Sequence, residues 1–236
     1  MKLKLQKYKL IIFDWDGTLV DSLAAYADWD RLYVKRFYGV DLPTDYYEEL
    51  SLRLKSVVVK GEESKYFRYL DEQYGDGNKP TYQIWEDIYS LSPDIQKNVA
   101  YKPGAVKALE FFRSRTNAHV ALATNSEMRD IQFYSSEYSR TARELSPLTF
   151  FDTVVTSDDI EYPKPHPQTF QKVIDIYNVP AHEVLIFEDS YNGVRAALSA
   201  GADVIAVSAD KTVRDITHRS IEHWADLPSV LESNMA

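Results

Sequence analysis

Residues 10–18 read Leu-Ile-Ile-Phe-Asp-Trp-Asp-Gly-Thr: four apolar residues that run straight into two acids and a glycine turn. The run is short and β-branched or aromatic, with no polar alternation, as expected of a strand buried on both faces of a parallel sheet. Working outward, similar runs recur at Val120–Thr124, Thr153–Thr156, Val184–Phe187 and Val204–Val207. Helical patterns fall between them, at Gly104–Ser114, Glu127–Glu144, Pro167–Tyr177 and Asn192–Ala200. This alternation predicts an α/β fold, a Rossmann-like open parallel sheet with helices on both faces.

One region breaks the alternation. From Ser22 to about Tyr101 no run reads as a strand, and helical patterns are punctuated by Gly39–Pro43, Gly61, Gly75–Pro80 and Ser92–Pro93. Eleven of the 17 tyrosines lie there with Trp29 and Trp85, enough aromatic surface for a core of its own. The expected organisation is an α/β core domain of residues 1–21 and 101–236, with an all-helical cap domain, residues 22–100, inserted after the first strand. Ligands of open α/β sheets bind at the carboxyl ends of the strands. An insert leaving from that edge is expected to act as a lid, hinged near Gly17–Ser22 and Ala100–Gly104.

Bulk properties narrow the field. The absence of cysteine removes disulfides, thiol nucleophiles and cysteine-bound metals, and suits a reducing compartment. A net charge of −9 argues against a sequence-independent grip on nucleic acid. No stretch approaches the ~20 apolar residues of a membrane span, and the run after the Lys/Leu-rich start is too short for a signal-peptide core. The expectation is a cytoplasmic protein with neither nucleic-acid nor membrane partners.

Four polar groups stand at or just beyond predicted strand ends. Asp14 and Asp16, two residues apart, converge on one spot and repel unless a cation lies between them. Such oxygen ligands suit Mg²⁺. Taken alone, D-x-D-G is equally well read as a polar turn. A calcium loop of EF-hand type is excluded, because Leu19 and Ala25 stand where it needs glycine and glutamate. Thr124-Asn125-Ser126 offers a hydroxyl and backbone N–H groups at a helix start, a phosphate cradle or simply a helix cap. Lys164 sits in Pro163-Lys164-Pro165-His166-Pro167, whose prolines are expected to hold the loop extended. Glu188-Asp189-Ser190 follows the strand ending at Phe187 and opens a helix; capping accounts for Asp189 or Ser190 but not for two successive acids. A second pair of acids supplies further ligands for a divalent metal.

Together these stretches resemble the haloacid dehalogenase-like (HAD) hydrolase superfamily. Residues 11–22, IIFDWDGTLVDS, resemble its first motif, residues 123–126, ATNS, its second, residues 164–167, KPHP, its third, and residues 187–201, FEDSYNGVRAALSAG, its fourth. The resemblance covers about residues 8–21 and 101–208, and the insert matches in position the helical cap of the phosphoglycolate phosphatase and β-phosphoglucomutase subgroup. It implies that Asp14 is the nucleophile that becomes an aspartyl phosphate. Asp16 protonates the leaving oxygen, then activates water, and its backbone carbonyl touches Mg²⁺. Thr124 and the N–H groups of Asn125 and Ser126 bind the phosphoryl group, and Lys164 neutralises charge between Asp14 and the phosphoryl oxygens. Glu188 and Asp189 complete the Mg²⁺ site, with Asp189 favoured as the direct ligand. Trp15 replaces a smaller aliphatic residue and is expected to pack between sheet and cap.

The chemistry agrees with that assignment. A carboxylate is ionised at neutral pH and needs no activating base. A phosphate dianion among carboxylates is repelled, so Mg²⁺ and Lys164 are electrostatic necessities. A crowded anionic site favours the protonated form that Asp16 needs as an acid. The expected substrate is a small phosphorylated metabolite and the expected reaction phosphomonoester hydrolysis. Phosphomutase chemistry is the alternative, and a non-catalytic phospho-ligand module ranks behind both. Arg31, Lys35, Arg53, Lys55 and Lys60 are the insert's candidates for holding a second phosphate.

Overall fold

A computed structural model of the chain describes residues 2–22, 25, 29–43 and 63–231. The chain divides into two compact units, Met1–Asp21 with Val99–Ala236, and Ser22–Asn98. In chain order the elements are β1 (Leu10–Phe13), α1 (Trp29–Tyr38), α2 (Glu63–Tyr74), α3 (Thr81–Gln96), α4 (Ala105–Arg115), β2 (His119–Ala123), α5 (Met128–Tyr134), α6 (Arg140–Glu144), β3 (Thr153–Val155), α7 (Gln168–Tyr177), β4 (Val184–Glu188), α8 (Tyr191–Ser199), β5 (Asp203–Val207) and β6 (Ser220–Ile221). Short turns of helix join several of these. Among the described residues no helix is long and apolar enough to cross a membrane.

All six strands run parallel, in the order β3-β2-β1-β4-β5-β6. The first strand of the sequence is therefore central, and the chain winds first to one side of it and then to the other. That reversal is the switch point where open α/β sheets bind their ligands. All four residues of β1 are buried, which is why the run shows no alternation. Leu10 and Ile12 join the apolar cluster with Phe170, Val173 and Ile174 of α7 and Val194, Ala196 and Ala197 of α8. Phe13 stacks on Phe187 at 4.9 Å and meets Phe112 of α4 and Trp224. Each fully buried aliphatic or aromatic side chain here contributes about 1.5–3 kcal/mol, so β1 is fixed from both faces.

Two local expectations are corrected, and one strand is added. The helix expected over Glu127–Glu144 is two helices, because Ser135 closes α5 and Ser139, extended at ψ 143°, caps α6 by accepting from the Thr141 N–H. The Pro163–His166 segment is not extended but a turn, with the His166 N–H donating to the Pro163 carbonyl and a cis Lys164–Pro165 bond. Strand β6 has no counterpart in the sequence pattern, since two residues carry no periodicity.

The Ser22–Asn98 unit is helical throughout its described elements. Tyr33, Val34, Phe67, Leu70, Ile84, Ile88 and Leu91 from α1, α2 and α3 form its core. Of the basic residues singled out there, Arg53, Lys55 and Lys60 lie outside the described residues, and the Lys35 ammonium is held by Asp41 at 2.6 Å.

Candidate active site

The parallel register sets the site. Phe13 lies level with Leu122 on β2 and Phe187 on β4, so Asp14 leaves the sheet beside the ends of both neighbours. Its N–H donates to the Phe187 carbonyl at 3.0 Å, which carries the strand geometry one residue further. Asp14 is 6 % exposed and Glu188 is 1 % exposed, although both are acids. Lys164 comes from the turn before α7 and is itself buried. Its Nζ donates to Asp14 Oδ1 at 2.6 Å, to Glu188 Oε2 at 2.8 Å and to the Ala123 carbonyl at 3.1 Å, above the ring of Phe170.

Glu188 is the most fully engaged acid. Its Oε1 accepts from the N–H groups of Asp189 and Ser190 and from the Ser190 hydroxyl, while Oε2 takes Lys164. This arrangement demands glycine at position 193, where a Cβ would lie 1.7 Å from Glu188 Oε2. Asp189 accepts from the Thr18 hydroxyl at 2.9 Å and lies over Gly17, whose φ of +77° suits glycine and where a Cβ would lie 2.2 Å from Asp189 Oδ2. Glycine is thus required on two sides of the acidic cluster to leave room for it.

One oxygen each of Asp14, Glu188 and Asp189 lie within 4.8 Å of one another. Burial, reinforced by Glu188, pushes the Asp14 carboxyl well above its ordinary range against the pull of Lys164. Burial and Glu188 likewise push Asp189 up to about 7. Burial works against the charge of Lys164, but Asp14 and Glu188 outweigh it and hold the ammonium above its usual range. Three carboxylates face one lysine, an excess of negative charge that a divalent cation would balance. A hard, all-oxygen donor set in a pocket kept open by two glycines fits Mg²⁺.

The remaining residues singled out from sequence gather at the same edge. The Asp16 carboxylate accepts a short hydrogen bond from the Ser126 hydroxyl. Thr124 is buried, and its Oγ1 accepts from the Ser126 N–H at 3.0 Å. That N–H, expected to face a phosphoryl group, is therefore engaged within the loop. Asn125 is exposed, and its side-chain oxygen accepts from the Lys164 N–H at 3.3 Å. Among the described residues, the ring of Trp15 meets Tyr101 at 5.5 Å and Tyr134 at 5.3 Å. Thr18, Ser190 and Gly193 carry parts of the site that sequence reasoning did not assign. Ser190 is legible in the sequence only as a helix cap, and Gly193 as a glycine in the first turn of a helix, where it costs stability unless space requires it.

A family model for haloacid dehalogenase-like hydrolases matches residues 8–201, and the chain belongs to that family. It is 30% identical over 195 residues to the phosphorylated carbohydrates phosphatase of Thermotoga maritima, covering 83% of this chain and 82% of that one. Among solved structures, a Thermotoga maritima protein described as a candidate β-phosphoglucomutase superposes with a TM-score of 0.74 at 24% identity, covering 94% and 97% of the two chains. The candidate HAD-hydrolase YfnB of Bacillus subtilis, bound to magnesium, gives 0.75 at 19% identity over 95% and 99%. At these identities the two structures establish the fold and nothing finer.

Proposed function

We propose that this chain is a Mg²⁺-dependent phosphatase that hydrolyses a phosphomonoester of a small metabolite through an aspartyl phosphate on Asp14. The observation that carries the reading is the buried Asp14–Lys164–Glu188–Asp189 cluster at the switch point, with Asp16 beside it. The relative named a phosphorylated carbohydrates phosphatase supports it.

An Asp14 carboxylate oxygen attacks phosphorus as the ester P–O bond breaks, and Asp16 gives its proton to the leaving oxygen. Asp16, now ionised, takes a proton from water while the water oxygen attacks phosphorus. The P–O bond to Asp14 breaks and the carboxylate is restored. Lys164 holds Asp14 in place and offsets charge as negative oxygens gather there. Asp14, Asp189 and the Asp16 carbonyl would hold the cation, with Glu188 behind them; when bound, it neutralises phosphoryl charge. The Ser126 hydroxyl fixes the Asp16 carboxylate, and Thr124 and the Asn125 N–H face the phosphoryl group. The helical unit is inserted where the chain leaves this edge.

The test is purified protein with Mg²⁺ and a panel of phosphate esters, scored for both free phosphate and isomerised sugar. Phosphate release that stops in EDTA and returns with Mg²⁺ is expected. Asp189→Ala should raise the Mg²⁺ needed for half-maximal rate by roughly tenfold or more. Full activity in chelator defeats the metal assignment, and isomerised sugar without free phosphate replaces hydrolase by mutase.

A further inference from the structure

The turn after Asp14 has a second lysine on it. Asp16-Gly17-Thr18-Leu19-Val20 spends its backbone donors internally: Gly17 N–H on the Val20 carbonyl, and Leu19 and Val20 N–H on the Trp15 carbonyl. The Gly17 carbonyl accepts a short hydrogen bond from the ammonium of Lys102. Lys102 reaches it from a fixed base. Its own N–H donates to the Leu19 carbonyl at 2.8 Å, and its neighbour Tyr101 bridges antiparallel to Val20. One residue thus grips the turn twice, at the place where the chain leaving the α/β unit at Asp21 runs beside the chain returning at Val99.

The grip is one peptide away from an acid of the cluster. Fixing the Gly17 carbonyl fixes the peptide that carries Thr18, whose hydroxyl donates to Asp189 and whose carbonyl accepts from Trp224 Nε1 at 3.0 Å. Asp189 itself lies directly over Gly17. Lys164 bonds Asp14 and Glu188, and no bond from it reaches Asp189.

We propose that Lys102 is a positioning residue for the phosphoryl transfer proposed above, on which this inference rests. It locks the Gly17–Thr18 peptide so that Asp16 and Asp189 keep their places around the nucleophile. Because the lock acts on geometry at the reacting centre, its loss should appear in kcat and not in KM.

The experiment compares wild type, Lys102→Met and Lys102→Arg by residue-resolved hydrogen exchange without substrate, and by steady-state kinetics with Mg²⁺ and a hydrolysed ester. Lys102→Met should speed exchange at the Gly17, Leu19 and Val20 amides at least about tenfold, with amides of α7 unchanged. It should lower kcat roughly 10- to 100-fold, the size expected for a lost charge-assisted hydrogen bond, and leave KM within about twofold. Lys102→Arg, which keeps charge and donor, should recover most of both. Unchanged exchange at the turn, acceleration spread evenly over the unit, a loss confined to KM, or no recovery by arginine would each overturn the assignment. Fast exchange in Lys102→Met alongside a wild type inert to every ester would keep the clamp and defeat the phosphatase reading.

Discussion

The sheet edge and the helical unit both bury charge, and they balance it in opposite ways. At the edge, Asp14, Glu188 and Asp189 crowd around Lys164, and burial raises the carboxyls of Asp14 and Asp189 above their ordinary range. In the helical unit, Lys79 Nζ bonds Asp87 Oδ2 at 2.7 Å, within 4.6–5.3 Å of the ring centres of Tyr33, Phe37 and Tyr38. Asp71, 1 % exposed, accepts from the Tyr38 hydroxyl at 2.8 Å and the Lys79 N–H at 3.0 Å. Each acid there has its donors. An excess of buried like charge is costly and persists where chemistry uses it, whereas a matched pair holds elements together. Removing charge should therefore cost function at the edge and stability in the helical unit.

Asp14→Asn is the sharpest way to break this contrast. The amide keeps the size of the side chain but cannot form the aspartyl phosphate, so turnover should fall below about one-thousandth of wild type. Because it relieves crowding among carboxylates, thermal unfolding should move to equal or higher temperature. Residual turnover well above that level, or a marked loss of stability, would remove the distinction between the regions.

Gly193→Ala probes the space the acids need. Its Cβ must displace the Glu188 carboxylate, with oxygen atoms at 1.7 and 2.4 Å, from a buried network. Activity should drop roughly 10- to 100-fold with a stability loss of about 1–3 kcal/mol, measured by denaturant unfolding beside the phosphate assay. A silent substitution would mean that Glu188 can move freely, against the four contacts described for it.

Lys79→Met should do the reverse of Asp14→Asn: kcat stays within about twofold while stability falls by about 1–3 kcal/mol, as Asp87 is left buried beside an apolar group. The pH dependence follows in sign. Burial is the largest single influence and opposes the Lys79 charge, but the hydrogen bonds and charges of Asp87 and Tyr33 together outweigh it and raise the folded-state value above the ordinary 10.5. Its stabilisation is thus complete below about pH 10.5 and lost as pH rises through the raised folded-state value. The wild type should lose its advantage over Lys79→Met only in that alkaline range, which urea titrations at stepped pH would detect.

The position of the edge was legible because its signals are local. Buried parallel strands announce themselves as unbroken apolar runs, and the residue after each run must stand at the same edge once the strands are parallel. Leu10–Phe13 needed no knowledge of its neighbours to be read as a strand, and Asp14, Thr124 and Glu188 followed from it. Where order depends on one residue's dihedral angles, as at Ser139, or on two residues at the margin of the sheet, as in β6, the pattern carried too little to read.

The sequence by itself determined the parallel α/β sheet, the family, and the acids, hydroxyl and lysine gathered at one edge, because strand period and turn chemistry act within a few residues. Only the tertiary structure decided how those groups share charge. Lys102 reaches Gly17 across 85 positions, and Ser126 reaches Asp16 across 110. Asp189 needs the missing side chain of Gly17, and Glu188 needs that of Gly193. Pairings of this kind depend on where packed elements place a side chain's end, and distance along the chain does not encode that.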